Sequence, residues 1–279
     1  MENTVPIKID LQAVLRNRLG RKSRWIPRFL VRRLERLICQ EQMNAMLEEV
    51  FPSRGSQFCK AVIAHLDIDL TVEGIENMPP RDNRKVIFCS NHPLGGLDGM
   101  ALIYFVADYY GVEPLFIIND LLMAVEPLRE VFVPVNKHGS QSRDTIKAID
   151  EAMASDRPVL IFPAGLCSRK RDGEIRDLEW QKMFVQKAVT YKRDIVPLRV
   201  NAQNSDLFYS WASRREKLGI RFNLEMALLP GEVFKSRGKT ISVSVAPIIS
   251  YDRLTGTPRE ETARIRKIVD SMGRPCRTN

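Results

Sequence analysis

The sequence contains no long apolar run. The best candidate covers residues 100–107 and is closed by Asp98 and Asp108, whereas a membrane-spanning helix needs roughly 18 uninterrupted apolar residues. The first ten residues carry two acidic side chains and no apolar core, which is unlike a secretory signal. These absences predict a cytoplasmic protein that touches a membrane without crossing it.

Cysteine and low-complexity sequence are also scarce. The five cysteines are odd in number, and no two form a Cys-x-x-Cys pair: Cys39, Cys59, Cys89, Cys167 and Cys276. This pattern argues against a disulfide framework and against a zinc site. No internal repeat and no Pro/Gly-rich linker divides the 279 residues, which suffice for one large domain or for one domain with an appendage.

Positive charge is concentrated near the N-terminus. Between Arg16 and Arg36, nine basic residues face a single acid, Glu35, so this segment supplies eight of the nine net positive charges. Apolar residues recur there at helical spacing: Ile26, Phe29, Leu30, Leu34, Leu37 and Ile38. We therefore predict a basic amphipathic helical segment over residues 1–60 and an α/β domain over residues 61–279.

From about residue 61 short apolar runs alternate with helical patterns. The predicted strands are residues 67–72, 85–89, 115–118, 131–135, 159–162, 195–200 and 241–245. The predicted helices are residues 98–110, 120–128, 140–155, 179–191, 205–217 and 258–272. This alternation predicts an α/β protein with a central, mostly parallel (mixed) sheet flanked by helices. In such sheets ligands bind beyond the carboxyl ends of the strands, which directs attention to the loops after Cys89, Val135 and Phe162.

The first of these loops pairs a histidine with a carboxylate. His92 follows a predicted buried strand, and Asp98 stands where the next helix begins. An imidazole there can take a proton from an attacking hydroxyl, and the carboxylate can fix its tautomer and stabilise the imidazolium. The alternative is structural, because Asp98 is also a good N-cap and a single histidine is often only a polar loop residue. Pro93 and the Gly95-Gly96 pair favour a specially shaped loop.

The other two loops carry cations. Lys137 and His138 follow a predicted strand, and the amides of the helix behind them would face an anion; the alternative is an ordinary solvated loop. In the third loop Arg169 lies nearest the sheet and is the best candidate to hold a phosphate or carboxylate head group. For Lys170 and Arg171 we favour a solvated turn.

Taken in order, these loops resemble the glycerolipid acyltransferase family that includes lysophosphatidic acid acyltransferase. Four blocks carry the resemblance: Asn91-His92 with Asp98, Val133-Pro134-Val135-Asn136-Lys137, Phe162-Pro163-Ala164-Gly165 with Ser168-Arg169, and Ile195-Val196-Pro197-Leu198. They span residues 85–200 and fall in the order of the family at predicted strand ends. One block alone would be a weak signal, but four ordered blocks are fairly specific.

The resemblance implies a reaction. His92 would be the general base that activates an acceptor hydroxyl, and Asp98 would orient it. The hydroxyl would attack the thioester of acyl carrier protein or coenzyme A directly, with no acyl-enzyme intermediate, no metal and no tightly bound cofactor. Lys137 and Arg169 would bind the acceptor head group. The other substrate-binding residues implied by these blocks are Asn91, Phe162, Pro163, Gly165 and Ser168.

Two departures from the family pattern bear on the acceptor. Five residues separate His92 from Asp98, one more than in the family, and the glycine pair between them would have to loop out the extra residue. Ala164 stands where the family has a Glu that helps to bind glycerol phosphate. With these departures, and at residues 201–205 and Phe208-Tyr209, the sequence resembles a divergent branch of the family. That branch carries a haemolysin label and is linked to bacterial aminolipids. The acceptor would then be the 3-hydroxyl of an N-acylated amino acid, as in lyso-glycine or lyso-ornithine lipid; lysophosphatidic acid is the alternative.

The basic N-terminal segment has three candidate partners. An anionic bilayer would attract its cations and admit its aromatic side chains, and acidic acyl carrier protein would attract the same cations. Alternatively, the apolar stripe packs on the α/β core. We expect contact with the inner face of the cytoplasmic membrane, or with the carrier, through Arg21, Lys22, Arg24, Trp25, Arg28, Phe29 and Arg32.

Three rival functions stay open. A non-catalytic lipid or carrier-protein binder on the same fold is favoured by Ala164 and by the longer His–Asp interval. A nucleic-acid binder would use the basic patch, but the patch lacks a recognisable motif and interleaved aromatic residues. A membrane-lytic toxin is disfavoured by the missing secretory signal.

Overall fold

The computed structural model describes residues 6–20, 25–135, 143–171, 173–219 and 224–273. Its helices are α1 (Leu11–Leu19), α2 (Arg28–Leu37), α3 (Gln40–Glu49), α4 (Gly55–His65), α5 (Leu97–Tyr110), α6 (Arg143–Ala154), α7 (Met183–Tyr191), α8 (Asp206–Lys217), α9 (Leu229–Lys235) and α10 (Pro258–Ser271). Its strands are β1 (Asp69–Glu73), β2 (Val86–Ser90), β3 (Leu115–Asn119), β4 (Phe132–Val135), β5 (Val159–Ile161), β6 (Arg169–Arg171), β7 (Glu174–Arg176), β8 (Asp194–Asn201) and β9 (Thr240–Val245).

Seven of these strands form one sheet in the order β1-β9-β8-β2-β5-β3-β4. The five strands from β8 to β4 are parallel to one another, β9 is antiparallel to β8, and β1 is parallel to β9. The remaining two strands, β6 and β7, form an antiparallel hairpin. The predicted α/β class with a mixed, mostly parallel sheet is confirmed.

Strand β2 lies in the middle of the sheet, and all five of its residues are buried. Phe88 lies in an apolar cluster that α4 and α5 cover, whereas Ile87 lies in a second cluster covered by α6, α7 and α10. A strand covered on both faces is a continuous apolar run rather than an alternating pattern. The parallel register sets Ser90 beside Leu198 of β8, so the loops after β2, β5 and β8 leave the same edge of the sheet.

A buried arginine ties the opposite edge of the sheet to α6. Arg193, which directly precedes β8, is fully buried. Its guanidinium donates to five backbone oxygens, those of Ala152, Met153, Ser155, Arg157 and Val86. Burial lowers the pKa of Arg193 to about 10, so the side chain stays protonated at neutral pH and meets the negative end of the α6 dipole.

Helices α3 and α4 pack into the core with the strands. Met46 of α3 and both Phe58 and Val62 of α4 lie in the first apolar cluster. The predicted division between residues 60 and 61 therefore falls inside α4, because that helix uses its apolar face to cover the sheet. By contrast, α2 contains no fully buried residue, and Trp25 and Phe29 are 88% and 66% exposed. The start of the basic apolar stripe is thus not covered by the core.

The predicted strands all form, but the helices differ in three places. Residues 120–128 form two 3₁₀ segments, Asp120–Ala124 and Glu126–Leu128, because Pro127 prevents a continuous α-helix. The helix predicted from residue 179 begins only at Met183. The helix predicted from residue 140 is described from Arg143 onward, and residues 140–142 lie outside the described residues. The β6–β7 hairpin and α9 were not predicted.

Candidate active site

The structure brings His92 and Asp98 together beyond the carboxyl end of β2. Nδ1 of His92 lies 3.0 Å from Oδ2 of Asp98. Asp98 is fully buried in the first turn of α5, and the His92 side chain is 14% exposed. Gly96, not Asp98, occupies the N-cap position of α5, so the interpretation of Asp98 as a capping residue is wrong. Its carboxylate faces the imidazole instead.

The Asp98 carboxylate is held by two backbone amides as well as by the imidazole. Leu94 N donates to Oδ2 at 2.8 Å, and Gly99 N donates to Oδ1 at 2.9 Å. Burial alone would raise the pKa of Asp98, but the charge and hydrogen bond of His92, together with these two amides, hold it below its ordinary value. An ionised carboxylate can only accept, so Nδ1 of His92 is the donor in this contact, and whenever the ring is neutral its lone pair is on Nε2. That lone pair is what a general base needs.

The imidazole ring is also fixed by an aromatic neighbour. Phe162, directly after β5, stacks on His92 with ring centroids 4.0 Å apart and an interplanar angle of 19°. Gly99 makes room for this arrangement, because a Cβ there would come within 2.9 Å of the Phe116 ring, which in turn packs edge-on against Phe162. The ring of His92 is therefore held by a hydrogen bond at one edge and by stacking on one face.

A glycine in the left-handed region lies within the five-residue interval between His92 and Asp98. Gly95 has a φ of 82°, which residues with a Cβ rarely adopt. A Cβ at Gly95 would lie 2.5 Å from Sγ of Cys167 and 2.7 Å from a methyl group of Leu229. The longer interval thus still lets the carboxylate reach the ring. Burial raises the pKa of the Cys167 thiol to about 12, so Cys167 is not an alternative nucleophile beside the dyad.

A second buried carboxylate, Asp177, also binds the loop between β2 and α5. We call this loop, residues 91–96, the His92 loop. Its Oδ1 accepts from the backbone N–H of His92 at 3.2 Å and from Oγ of Ser168 at 2.6 Å, and its Oδ2 accepts from the indole of Trp180 at 2.9 Å. Ser168 N also donates to the carbonyl of His92 at 2.7 Å. Sequence reasoning missed Asp177, because its bond to His92 joins residues 85 positions apart and no local pattern marks it.

Replacing Asp177 with Ala is expected to lower both stability and activity. Three buried donors would lose their acceptor, and each such loss costs about 1–3 kcal/mol. A displaced His92 loop would lower kcat by roughly 10- to 100-fold. Urea unfolding followed by circular dichroism, and steady-state kinetics below the unfolding transition, measure the two effects. Asp177→Asn is the matched control, since it keeps one acceptor oxygen; equal kcat for wild type and Asp177→Ala would contradict this role.

A family model described as Acyltransferase matches residues 13–271 of the chain. The chain belongs to the acyltransferase family. A protein named lyso-glycine lipid O-acyltransferase from Phocaeicola vulgatus is 40% identical over 264 residues, which cover 94% of each chain. One of the same name from Bacteroides thetaiotaomicron is 39% identical over 264 residues, 94% of this chain and 96% of that one. The crystal structure of the 1-acyl-sn-glycerophosphate (LPA) acyltransferase PlsC from Thermotoga maritima covers 90% of this chain and 94% of its own, with a TM-score of 0.47 and 14% identity.

Family membership confirms the resemblance that the four sequence blocks predicted, and it confirms that the protein is an enzyme. The non-catalytic binder is therefore the weaker interpretation of Ala164. Within the described ranges, no group of three or more His, Cys, Asp or Glu side chains is placed to hold a metal ion. Among the same residues, none of the helices combines the length and the apolarity that crossing a bilayer requires.

Arg169 is bound within the protein in this acyltransferase. Its guanidinium is buried and pairs with Oε1 of Glu225 at 2.8 Å, while Nη1 donates to the carbonyl of Cys167 at 2.7 Å. Oε2 of Glu225 in turn pairs with Arg215 at 2.9 Å. That Arg169 binds the acceptor head group stays a prediction, and the structure adds that a buried acid 56 positions away pairs with its guanidinium. Lys170 and Arg171 are exposed, as predicted, but they lie in strand β6 and not in a turn.

Asn91 is likewise bound within the protein, by the backbone of β8. Its Nδ2 donates to the carbonyl of Val200 at 3.0 Å, and its Oδ1 accepts from the N–H of Val200 at 2.7 Å. Both ends of the amide are thus engaged by β8, and the predicted substrate contact of Asn91 stays a prediction. The pairing fixes where the His92 loop leaves the sheet.

The other predicted site residues fall into three groups. Pro163 and Gly165 form the turn after Phe162, with Gly165 N donating to the Phe162 carbonyl at 2.9 Å, and Ser168 is bonded to Asp177. Trp25, Arg28, Phe29 and Arg32 are exposed on and beside α2. Outside the described residues lie Lys137, Arg21, Lys22 and Arg24.

The loop after β8 supplies further contacts that the three-loop prediction did not include. Nδ2 of Asn204 donates to the carbonyl of Pro93 at 3.1 Å, and the N–H of Asn204 donates to the hydroxyl of Tyr209 at 3.1 Å. Both Asn204 and Tyr209 are buried. The stretch that suggested the aminolipid branch from sequence therefore packs directly against the His92 loop.

Proposed function

We propose that the protein transfers a fatty acyl group from an acyl carrier protein or coenzyme A thioester to the hydroxyl of a lyso-aminolipid of the lyso-glycine type. The observation that supports this most is the 3.0 Å contact between His92 and the buried Asp98. The names of both curated relatives, each about 40% identical over nearly the whole chain, support the acceptor class. Lysophosphatidic acid is the second candidate acceptor.

The proposed reaction is a direct acyl transfer. Nε2 of His92 removes the proton of the acceptor hydroxyl as its oxygen attacks the thioester carbonyl, and the ionised Asp98 stabilises the imidazolium that forms. Collapse of the tetrahedral intermediate breaks the C–S bond and leaves an ester. The departing thiolate takes the proton from the imidazolium, which restores neutral His92 for the next cycle.

The electrostatics of the described residues support an acceptor without a phosphate. Ala164, at the position of the family Glu, is apolar and packs against the second cluster. The charge of Arg169 is matched by Glu225 in the interior. A phosphate dianion would need charge-assisted hydrogen bonds that neither residue offers. Lys137 remains the proposed cation for the single carboxylate of a glycine head group, which carries half the charge of that dianion.

The acceptor is tested with purified protein, acyl carrier protein or coenzyme A thioesters, and two lyso-lipids of equal chain length. One lyso-lipid is N-acylated glycine whose acyl chain has a free 3-hydroxyl. We expect its kcat/KM to exceed that of lysophosphatidic acid by about tenfold or more, because an unpaired phosphate is costly to desolvate. Mass spectrometry of the products measures both rates. A preference for lysophosphatidic acid would contradict the aminolipid assignment while leaving the dyad intact.

Lipid analysis of a strain that lacks the gene provides the matching test in cells. Loss of a diacylated aminolipid, restored by wild-type protein but not by His92→Ala, is the expected result. We propose in addition that the protein works at the inner face of the cytoplasmic membrane, where a lyso-lipid acceptor resides and where the exposed cations and aromatic residues of α2 meet anionic lipid.

A further inference from the structure

An exposed apolar stripe runs along α8, on the side away from the core. Leu207, Trp211, Arg214 and Leu218 are spaced by four, three and four residues, which places them on one helical face. Leu207 is 50%, Trp211 42% and Leu218 74% exposed, and Arg214 is exposed among them. The opposite face of the helix carries the buried Phe208 and Tyr209, so α8 is amphipathic with an apolar outer side.

The charges around this stripe favour an anionic partner. Arg214 and Lys217 lie at the exposed C-terminal end of α8. The two acids of the helix are matched by the neighbouring hairpin, with Lys170 at 3.0 Å from Asp206 and Arg171 at 3.9 Å from Glu216. With its acids matched in this way, the surface presents apolar side chains among excess cations. That composition suits a bilayer that contains anionic lipid.

The buried side of α8 contacts the same small apolar cluster as α2, and this cluster lies next to the His92 loop. Phe208 and Tyr209 form a small cluster with Cys167, and Leu37, the last residue of α2, packs against it. Cys167 also packs against Gly95 of the His92 loop, since a Cβ on Gly95 would lie 2.5 Å from its Sγ. The two helices with exposed aromatic residues therefore meet at the cluster that supports the catalytic loop.

We propose that α8 is a membrane-docking surface, which inserts Leu207, Trp211 and Leu218 into an anionic bilayer alongside α2. Docking through both helices holds the His92 loop at the lipid surface, so that an amphiphilic acceptor reaches it without leaving the bilayer. This extends the proposed function, on which it rests only for the nature of the acceptor. Binding to vesicles is measurable without any turnover.

Tryptophan fluorescence tests the insertion directly. Trp180 is buried, so in a Trp25→Phe variant Trp211 is the exposed reporter. Vesicles of phosphatidylglycerol and brominated phosphatidylcholine are expected to quench this emission, with a blue shift relative to buffer. The Trp25→Phe/Trp211→Phe protein, which retains only Trp180, should show neither effect. Vesicle binding by Trp25→Phe without quenching would mean that α2 docks alone and would overturn the proposal.

A stripe variant with a matched control measures the contribution to binding. Leu207→Ser combined with Leu218→Ser should weaken cosedimentation with phosphatidylglycerol vesicles by about tenfold or more, since two exposed leucines no longer enter the interface. Ile146→Ser combined with Val189→Ser removes two exposed apolar side chains from α6 and α7, 42% and 47% exposed against 50% and 74% for Leu207 and Leu218, and should change binding less than twofold. Equal binding by both variants would contradict the proposal.

Two further outcomes would assign α8 to another partner. If the stripe variant keeps vesicle affinity but loses activity only with the acyl carrier protein donor, the surface docks the carrier. If it abolishes self-association in analytical ultracentrifugation, the surface joins two copies of the chain. The proposed function fails separately: an enzyme without acyl transfer to any lyso-aminolipid would refute that function, whereas Trp211 would still be quenched.

Discussion

Replacing Asp98 with Asn is expected to lower kcat by roughly 10³- to 10⁴-fold, because His92 loses the partner that sets its tautomer. The amide would present one oxygen and one NH₂ group to three donors, from His92, Leu94 and Gly99. Either orientation therefore sets a donor against a donor, and the imidazolium formed during the reaction loses its counter-charge. Steady-state kinetics with the proposed donor and acceptor measure the loss.

His92→Ala and the double variant complete this test. Because the two side chains act as one unit, the double variant should be no slower than the slower single variant. Far-ultraviolet circular dichroism and urea unfolding establish that each protein is folded under the assay conditions. Retention of kcat within tenfold by Asp98→Asn would contradict the assignment. Full complementation of a deletion strain by His92→Ala would revive the non-catalytic binder.

Replacing Arg193 with Met is expected to lower the free energy of unfolding by about 3–5 kcal/mol, because several buried carbonyls lose their donor at once. The carbonyls at the C-terminal end of α6 would be left without the cation that complements the helix dipole. A loss of this size lowers Tm by roughly 10 °C in a protein of this length. Differential scanning calorimetry and urea unfolding measure it.

The matched control for Arg193 is a lysine at the same position. Arg193→Lys keeps the charge but cannot span the same carbonyls, since an ammonium lacks the planar fork of a guanidinium, so an intermediate loss is expected. Arg193 lies before β8, at the edge of the sheet opposite the His92 loop. The folded fraction should therefore keep its kcat. A Tm within about 2 °C of wild type for Arg193→Met would contradict the role.

The middle of the sheet was predictable because β2 and β5 are buried along their whole length. Such strands read as short, continuous apolar runs bounded by polar residues, and all seven predicted runs form strands. Short elements with little apolar content were not predictable. The β6–β7 hairpin consists largely of charged residues, and its pairing depends on neighbours that no local periodicity reveals.

The active site was predictable where one loop contains the chemistry and unpredictable where distant partners decide it. His92 lies in the loop after β2, and Asp98 lies in the first turn of the helix that follows. The two residues are close in sequence and follow a predicted strand, so both could be identified from the sequence. The role of Arg169 depends on Glu225, and that of Asn91 on the backbone of Val200. Neither contact follows from local spacing, so the sequence did not predict them.

The left-handed turn at Gly95 has a consequence for how relatives of this enzyme are recognised. A search that fixes four residues between histidine and aspartate would reject this chain, although Nδ1 and Oδ2 are within hydrogen-bond distance. The contact has to persist, whereas the interval can lengthen wherever a glycine takes the left-handed conformation next to Cys167 and Leu229. Any lengthened variant of the motif that lacks a glycine at this place should therefore be suspected of having lost its dyad.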